Sequence, residues 1–365
     1  MWRISALFVL VTTCTGSPYR VSTHPTRYVG DVVRAVRGAR VRVRVAGLYV
    51  HDVGGLYDAL RDAASRGVAV EARWRLVDPY WWIGIAVSGK GGRVSWEQTV
   101  PDHARLLTLN RTGVIRCTPR AAWHAKFVMV DDAVWIGSID FAVFRTHHRF
   151  VRSGRTYQWC NGWHGTAVHY RVTPKERAAL LRWWDDPSSD VGVHSGRRYV
   201  REGAYPTAAA DVIAAAERSV VVVAQAVGAD WLSTALWRAL TQHPSLDVVV
   251  STNIDDKWAH GFISALTRFW LRRMPSSVEV RHRRVDPERR CAAGSIRAAS
   301  STTEGFEHTK CIVADAHRVL IGSSNIGGER LTELNVELWD AGVAAVITNA
   351  TRGRDSVAVP RPLPW

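Results

Sequence analysis

Apolar and polar positions alternate in two ways along the chain, and the order repeats. Asp31 to Val45 reads DVVRAVRGARVRVRV and Asp211 to Val223 reads DVIAAAERSVVVV. In each, helical spacing gives way to a β-rich run, as where a helix feeds a strand. GLYDALRDAASRGVAVEAR then follows from Gly55, and LSTALWRALTQHPSLDVVV from Leu232. Each of these is an amphipathic helix, a polar break and a valine-rich strand. Asp211 lies 180 residues after Asp31. Helix-to-strand units repeated at this offset predict an α/β fold built from two similar halves.

The first half ends in a helix. Thr173 is a good N-cap, Pro174 suits the first helical position and Glu176 completes a capping box. The helix runs through Leu180 and Leu181 to Trp183 and Trp184, and the polar segment Asp185 to Asp190 reads as a connecting loop. This divides the chain into residues 1–187 and 188–365. The C-terminal end shows no comparable closing helix. Another helix is expected from Lys257 to Arg273, with Trp258, Phe262, Leu266, Phe269 and Trp270 on one core-facing stripe. Arg283 to Thr303 lacks periodicity and reads as a long loop.

Composition changes this picture only in places. Of 48 Lys and Arg residues only five are Lys (90, 126, 175, 257 and 310), and the net charge is +15. Such a field draws anions: nucleic acid, acidic lipid or phosphorylated metabolites. An arginine-rich codon usage explains part of it, so the charge by itself names no partner. The five cysteines (14, 117, 160, 291 and 311) form no Cys-x-x-Cys pair, which argues against a zinc ribbon or thioredoxin-type site. Cys117 and Cys311 lie in apolar strand-like runs and read as buried thiols. Ile4 to Val11, behind Arg3, reads either as a short signal peptide or as the first strand. No stretch is long and apolar enough to span a bilayer.

The chemistry appears twice. Trp123-His124-Ala-Lys126-Phe-Val-Met-Val-Asp131 and Glu307-His308-Thr-Lys310-Cys-Ile-Val-Ala-Asp315 are both His-x-Lys-x4-Asp, 184 residues apart. Each is followed by an apolar run and a Gly-Ser pair, Gly137-Ser138 and Gly322-Ser323. One such motif arises by chance in about one chain of this composition in a hundred. Two at the repeat offset do not. Two of the five lysines stand in these motifs, where a compact ammonium is wanted rather than the chain's default Arg.

In a strand, residues two apart share a face, so His and Lys project together, with Asp131 or Asp315 near the strand end. Two ammonium groups suit the non-bridging oxygens of a phosphodiester. One imidazole suits attack on phosphorus and the other protonation of the leaving oxygen. No cofactor is required and no metal-ligand cluster is evident.

These paired motifs resemble the signatures of the phospholipase D superfamily. The second copy is the fuller match: His308, Lys310, Asp315, then Gly322-Ser323-Ser324-Asn325, then Asn335 and Glu337. The resemblance spans about Asp31 to Glu337. It implies two α/β domains related by a pseudo-twofold, with the active site at their interface. It implies catalytic roles for His124, Lys126, Asp131, His308, Lys310 and Asp315, with His124 as the nucleophile. Substrate contacts would come from Ser138, Asp140, Ser323, Asn325 and Glu337. The first copy departs, having Asp140 where Asn is expected and no Asn-x-Glu after it. The short first half most resembles the poxvirus-type members and their animal relatives.

Two functional classes follow. One is a metal-independent phosphodiesterase acting on a nucleic acid strand or a phospholipid. The other is a catalytically weak, membrane-associated protein that keeps the fold. If viral, it would sit at endomembranes or the virion membrane; if it has a signal peptide, it would be secreted or lumenal. Lesser candidates are His147-His148 with Arg145, Arg149 and Arg152, the cluster Tyr80-Trp81-Trp82, and the basic runs at Arg281 to Arg284 and Arg289-Arg290. Each reads more simply as solvated surface or packing than as a phosphate, base or membrane contact. Between substrates, the charge favours a nucleic acid strand, while the same Arg and Trp residues would suit contact with an anionic membrane.

Overall fold

A computed structural model describes residues 17–75, 105–141, 148–159, 163–252, 261–283, 306–326, 331–352 and 356–358, apart from a few single residues and three pairs within those spans. The N-terminal run at Ile4 to Val11, the Tyr80-Trp81-Trp82 cluster, Arg145, His147 and the loop beyond Arg283 lie outside the described residues, as do the side chains of His148, Arg149 and Arg152.

Two sheets carry the chain. In the first half the strands are β1 (Arg20–Ser22), β2 (Arg42–Gly47), β3 (Ala69–Arg75), β4 (Arg116–Arg120), β5 (Lys126–Val130) and β6 (Ala133–Gly137). A hairpin of β7 (His148–Arg152) and β8 (Arg155–Trp159) follows, then β9 (Trp163–His164) and β10 (Ala167–Arg171). The second half has β11 (Val193–His194), β12 (Arg197–Arg201), β13 (Ser219–Ala224), β14 (Asp247–Thr252), β15 (Glu279–Arg283) and β16 (Phe306–Glu307). It ends with β17 (Cys311–Ala314), β18 (Arg318–Gly322), β19 (Leu334–Trp339) and β20 (Ser356–Ala358).

The first sheet runs β1-β10-β6-β5-β2-β3-β4, and the second runs β12-β19-β18-β17-β13-β14-β15 between edge strands β11 and β20. Matching neighbours pair in the same sense. The helix-connected β2/β3 and β13/β14 are parallel, and the motif strands β5 and β17 are antiparallel to β2 and β13. The register fixes the equivalences. Val43 lies opposite Val130 as Val220 lies opposite Ala314, and Gly137 opposite Ala167 as Gly322 opposite Asn335.

The alternation of side chains accounts for the layers. Phe127, Met129 and Ile136 of the first sheet meet Cys311, Val313 and Ile321 of the second in one central cluster. Val43, Val45 and Val128 point the other way, into a core with helices Pro25–Arg37 and Leu56–Ser65. Val220, Val222 and Ile312 do the same under helices Tyr205–Ala214 and Asp230–Gln242. Cys311 is buried, as its apolar setting led us to expect; the side chain of Cys117 is outside the described residues. Among the described residues no helix is long and apolar enough to cross a membrane.

The helix Pro174–Asp185 has the expected capping box: the Glu176 N–H donates to Thr173 Oγ1, and the Thr173 N–H donates to Glu176 Oε2. The expectation for the C-terminal end is corrected. A helix, Ala341–Arg352, follows β19 as Pro174–Asp185 follows β10, and both put apolar residues into the central cluster. Its start carries no Thr-Pro-x-Glu signature, but Asp340 accepts the Val343 N–H at 2.8 Å and caps it. A second correction concerns the helix Gly261–Arg272. Phe269, placed on the core stripe by periodicity, is 46% exposed, and Leu271 and Thr267 take the buried face. The Arg273 guanidinium stands 3.8 Å above the Phe269 ring and shields it in place of a core.

Candidate active site

The motif histidines lie where the two halves cross. Trp123 pairs in parallel with Thr332, just before β19, and the Thr332 carbonyl accepts the N–H groups of both His124 and Ala125. In mirror fashion Glu307 pairs with His164, just before β10. Each half thus hands its motif to a backbone segment of the other. His124, Lys126, His308 and Lys310 are all buried.

The pairing of the imidazoles differs. His124 Nδ1 lies 2.5 Å from Glu333 Oε1, whereas His308 Nδ1 lies 2.7 Å from the Ser138 carbonyl. The register explains this difference. Thr166 stands to Ser138 as Leu334 stands to Ser323, since each donates its N–H to the serine hydroxyl of its own half. Gly165 therefore occupies the position that Glu333 holds in the second half. It has no side chain to offer His308, and Ile139 and Ser138 fill the space where a Cβ would go. Burial, then the charges of Lys310, Lys126 and His124, hold the His308 imidazole well below its ordinary pKa. His308 is therefore neutral at pH 7, with Nδ1 donating to a carbonyl and Nε2 carrying the lone pair.

The lysines curl back on their own motifs. Lys126 Nζ donates to the His124 carbonyl at 2.8 Å and lies 3.5 Å from Asp140 Oδ2. Lys310 Nζ donates to the His308 carbonyl at 2.9 Å and to Gln225 Oε1 at 3.2 Å. Asp140, the departure from the pattern, is fully buried and also accepts the Leu48 N–H at 2.8 Å. Its carboxylate is thus tied to an ammonium and an amide. Asn325 is its counterpart, with a buried Oδ1 that finds no hydrogen bond among the described residues. Ser138 and Ser323 do not face outward. Each hydroxyl closes its own loop against the carbonyl of Thr166 or Leu334. Gly137 and Gly322 permit this closeness, because a Cβ would strike the Thr166 carbonyl or the Asn335 side chain. Asn335 braces the second loop by accepting the Ser324 N–H and donating to Ser324 Oγ.

Three residues assigned to the site from sequence are placed elsewhere. Asp131 and Asp315 sit at the far ends of β5 and β17, seven residues and roughly 20 Å along the chain from the histidines. Both adopt left-handed backbone, φ 53° and 51°. Asp131 accepts the N–H groups of Arg40, Val41 and Arg42; Asp315 accepts those of Glu217, Arg218 and Ser219. Partial burial raises the pKa of each carboxyl, but these backbone donors outweigh it and hold both below the ordinary range. They clasp the turn that enters β2 or β13. Glu337 is fully buried between Arg318 at 2.6 Å and Arg198 at 2.7 Å, two residues further along β19 than Asn335. Its equivalent in the first half is His169, stacked on Trp135. Sequence reasoning missed Glu333 and Gln225. Glu333 lies two residues before Asn335, and its role depends on the crossing with Thr332 that no local pattern announces.

Among the described residues no group of three or more His, Cys, Asp or Glu is placed to hold a metal ion. The sequence matches no protein-family model and no curated protein. Solved structures do match. Phosphatidylserine synthase of Haemophilus influenzae Rd KW20 aligns over 94% of this chain and 87% of its own, with TM-score 0.63 and 11% identity. Polyphosphate kinase of Porphyromonas gingivalis aligns over 93% of this chain and 48% of its own, with TM-score 0.56 and 12% identity. At such identities the likeness is one of fold: the paired α/β halves seen here are an arrangement shared with these two enzymes.

Proposed function

We propose that the chain is a phosphodiesterase working through a covalent phosphohistidine, on a substrate drawn from nucleic acids or phospholipids. The observation that carries the reading is the convergence of two buried His-Lys pairs, one from each half, with a carboxylate at His124 Nδ1 and a backbone carbonyl at His308 Nδ1. His124 Nε2 attacks phosphorus, forming a P–N bond as the P–O bond to the leaving group breaks. The ring then carries positive charge, which Glu333 opposes across a 2.5 Å contact. His308, neutral in the free protein, gains a proton once the anionic substrate offsets the lysine charges that hold it neutral. It gives that proton to the leaving oxygen. In the second step His308 takes a proton from water, whose oxygen attacks phosphorus and breaks the P–N bond. Lys126 and Lys310 bear on the non-bridging oxygens.

The fold shared with a phosphatidylserine synthase along nearly the whole chain supports a reactive phosphorus centre at this crossing and is compatible with a lipid diester. The net charge of +15 suits a nucleic acid strand equally well. The test is turnover of single-stranded DNA, RNA and phospholipid vesicles in parallel, in EDTA, with acid-quenched protein analysed for phosphate on His124. Labelling of His308 alone reverses the roles. Undiminished turnover by either His→Ala variant removes the mechanism.

A further inference from the structure

The two lysines are equivalent by register but not by company. Lys126 lies opposite Gly137 on β6, and the Gly322 N–H on β18 donates to the Lys310 carbonyl. Asp140 and Asn325 each follow their glycine by three residues, and Leu48 and Gln225 each come directly after the matching strands β2 and β13. The first ammonium therefore meets a carboxylate, Asp140 Oδ2 at 3.5 Å, where the second meets the amide of Gln225 at 3.2 Å.

A buried carboxylate beside a phosphate-binding lysine is costly unless it serves the site. This one cannot swing aside when an anion arrives. Its other oxygen accepts the Leu48 N–H at 2.8 Å, and the residue is 1% exposed. We infer that Asp140 sets the charge the site accepts: a phosphodiester monoanion enters, and a dianionic phosphomonoester is turned away. The inference rests on the phosphodiesterase reading and narrows it. A diester carries one negative charge. A monoester carries nearly two above its second pKa of about 6. With the Lys126 charge already opposed, the net positive charge left at the site is smaller, and that second charge meets repulsion from Asp140. Hydrolysis of a diester leaves a monoester on one product, so the same carboxylate that admits the substrate hastens the departure of that product.

The test compares wild type with Asp140→Asn, which keeps the acceptor for the Leu48 N–H and removes the charge. A chromogenic diester, bis(4-nitrophenyl) phosphate, reports turnover. Phenyl phosphate is the competing monoester and dimethyl phosphate the competing monoanion. At about pH 8 phenyl phosphate is expected to inhibit Asp140→Asn ten- to a hundredfold more tightly than wild type, a range set by one unit charge at close quarters. Dimethyl phosphate should inhibit both proteins within a few-fold. Wild type alone supplies a second measurement should the variant misfold: phenyl phosphate should weaken relative to dimethyl phosphate as pH rises through about 6. Diester turnover with an unchanged inhibition ratio in a folded Asp140→Asn protein overturns the inference and leaves the phosphodiesterase reading intact. So does tighter binding of the dianion to wild type above that pH. Absence of both turnover and anion binding in wild type defeats the phosphodiesterase reading, and the inference falls with it.

Discussion

Replacing Glu333 with Gln isolates the charge behind the nucleophile. Glu333 is 3% exposed and 2.5 Å from His124 Nδ1, and Gln keeps an oxygen that can accept the same N–H. The imidazole can therefore stay in place while its counter-charge is lost. The charge centres are about 4 Å apart, and at an effective dielectric of about 20 their attraction is about 4 kcal/mol. Attack requires the neutral ring and leaves it charged as the P–N bond forms, so the loss falls on the transition state and the intermediate. A barrier higher by about 4 kcal/mol slows the step about a thousandfold. We expect kcat and kcat/KM to fall together by two to four powers of ten, with KM nearly unchanged. Steady-state hydrolysis of bis(4-nitrophenyl) phosphate measures both, and circular dichroism controls for folding. If Glu333→Gln retains wild-type kcat, or loses activity only through KM, the carboxylate does not support charge on His124 and the assignment of the nucleophile fails.

Lys126→Arg and Lys310→Arg should each lower kcat at least a hundredfold, because a planar guanidinium does not fit where a compact ammonium is 1% exposed; the same assay checks this. Asp131→Ala and Asp315→Ala should lower urea stability by about 1–3 kcal/mol each, the cost of orphaning backbone donors at a left-handed residue. The folded fraction should keep its turnover, and a loss of kcat in folded protein would return these residues to the chemistry. Arg197→Ala should cost about 3–5 kcal/mol, because it leaves Glu176 buried without its two-pronged partner at 2.6 and 2.7 Å; denaturant titration reads it. His169 is held to a pKa of about 4 by burial and by Arg20, and His308 is also lowered. The unfolded chain takes up protons below about pH 6.5 that the folded chain refuses, so stability is full above that pH and declines as pH falls towards 4. Melting temperatures of wild type and His169→Phe across that window should diverge. Parallel curves would mean that His169 is not buried as a neutral ring.

Where the sequence was read correctly, the signal was local and repeated. The valine-rich runs became β2, β3, β13 and β14, and the Thr173 capping box opens its helix as expected. These features need only side-chain period and turn chemistry. What escaped depended on contacts between segments distant in sequence. The closing helix Ala341–Arg352 mixes strong formers (Ala) with weak ones (Gly342, Val343, Val346) and carries no regular polar stripe, and it is held by its burial against both sheets. Phe269 lay on the right period and still faces solvent, because the core beneath that helix is filled by Leu271 and Thr267. The Asp of each motif looked catalytic by adjacency, although the length of a strand separates it from the imidazole.

The internal repeat also shows where to look for what makes this chain particular. The two halves share strand order, pairing sense and the serine-closed loop that follows each motif strand. Apart from the His-Lys pairs themselves, residues at which the repeat holds serve the scaffold: the paired aspartates and the two serines belong to this group. Wherever it breaks beside the histidines, the two sides are given unequal tasks. Gly165 stands where Glu333 would be, so His124 Nδ1 faces a carboxylate and His308 Nδ1 a backbone carbonyl. Asp140 stands where Asn325 would be, and it is Lys126 that has a carboxylate at 3.5 Å. A symmetric site would bind phosphate equally in two orientations and would have no reason to attack from one side. Both carboxylates lie on the same side of the crossing, with the first motif. Glu333 comes from the opposite half and Asp140 from the same half, so the bias depends on the two halves being docked. The proposed attack from His124 and the proposed charge selection at Lys126 thus share one origin, a departure from twofold symmetry. Introducing a carboxylate at Gly165 would not simply restore balance, because Ile139 already occupies the space its Cβ would need.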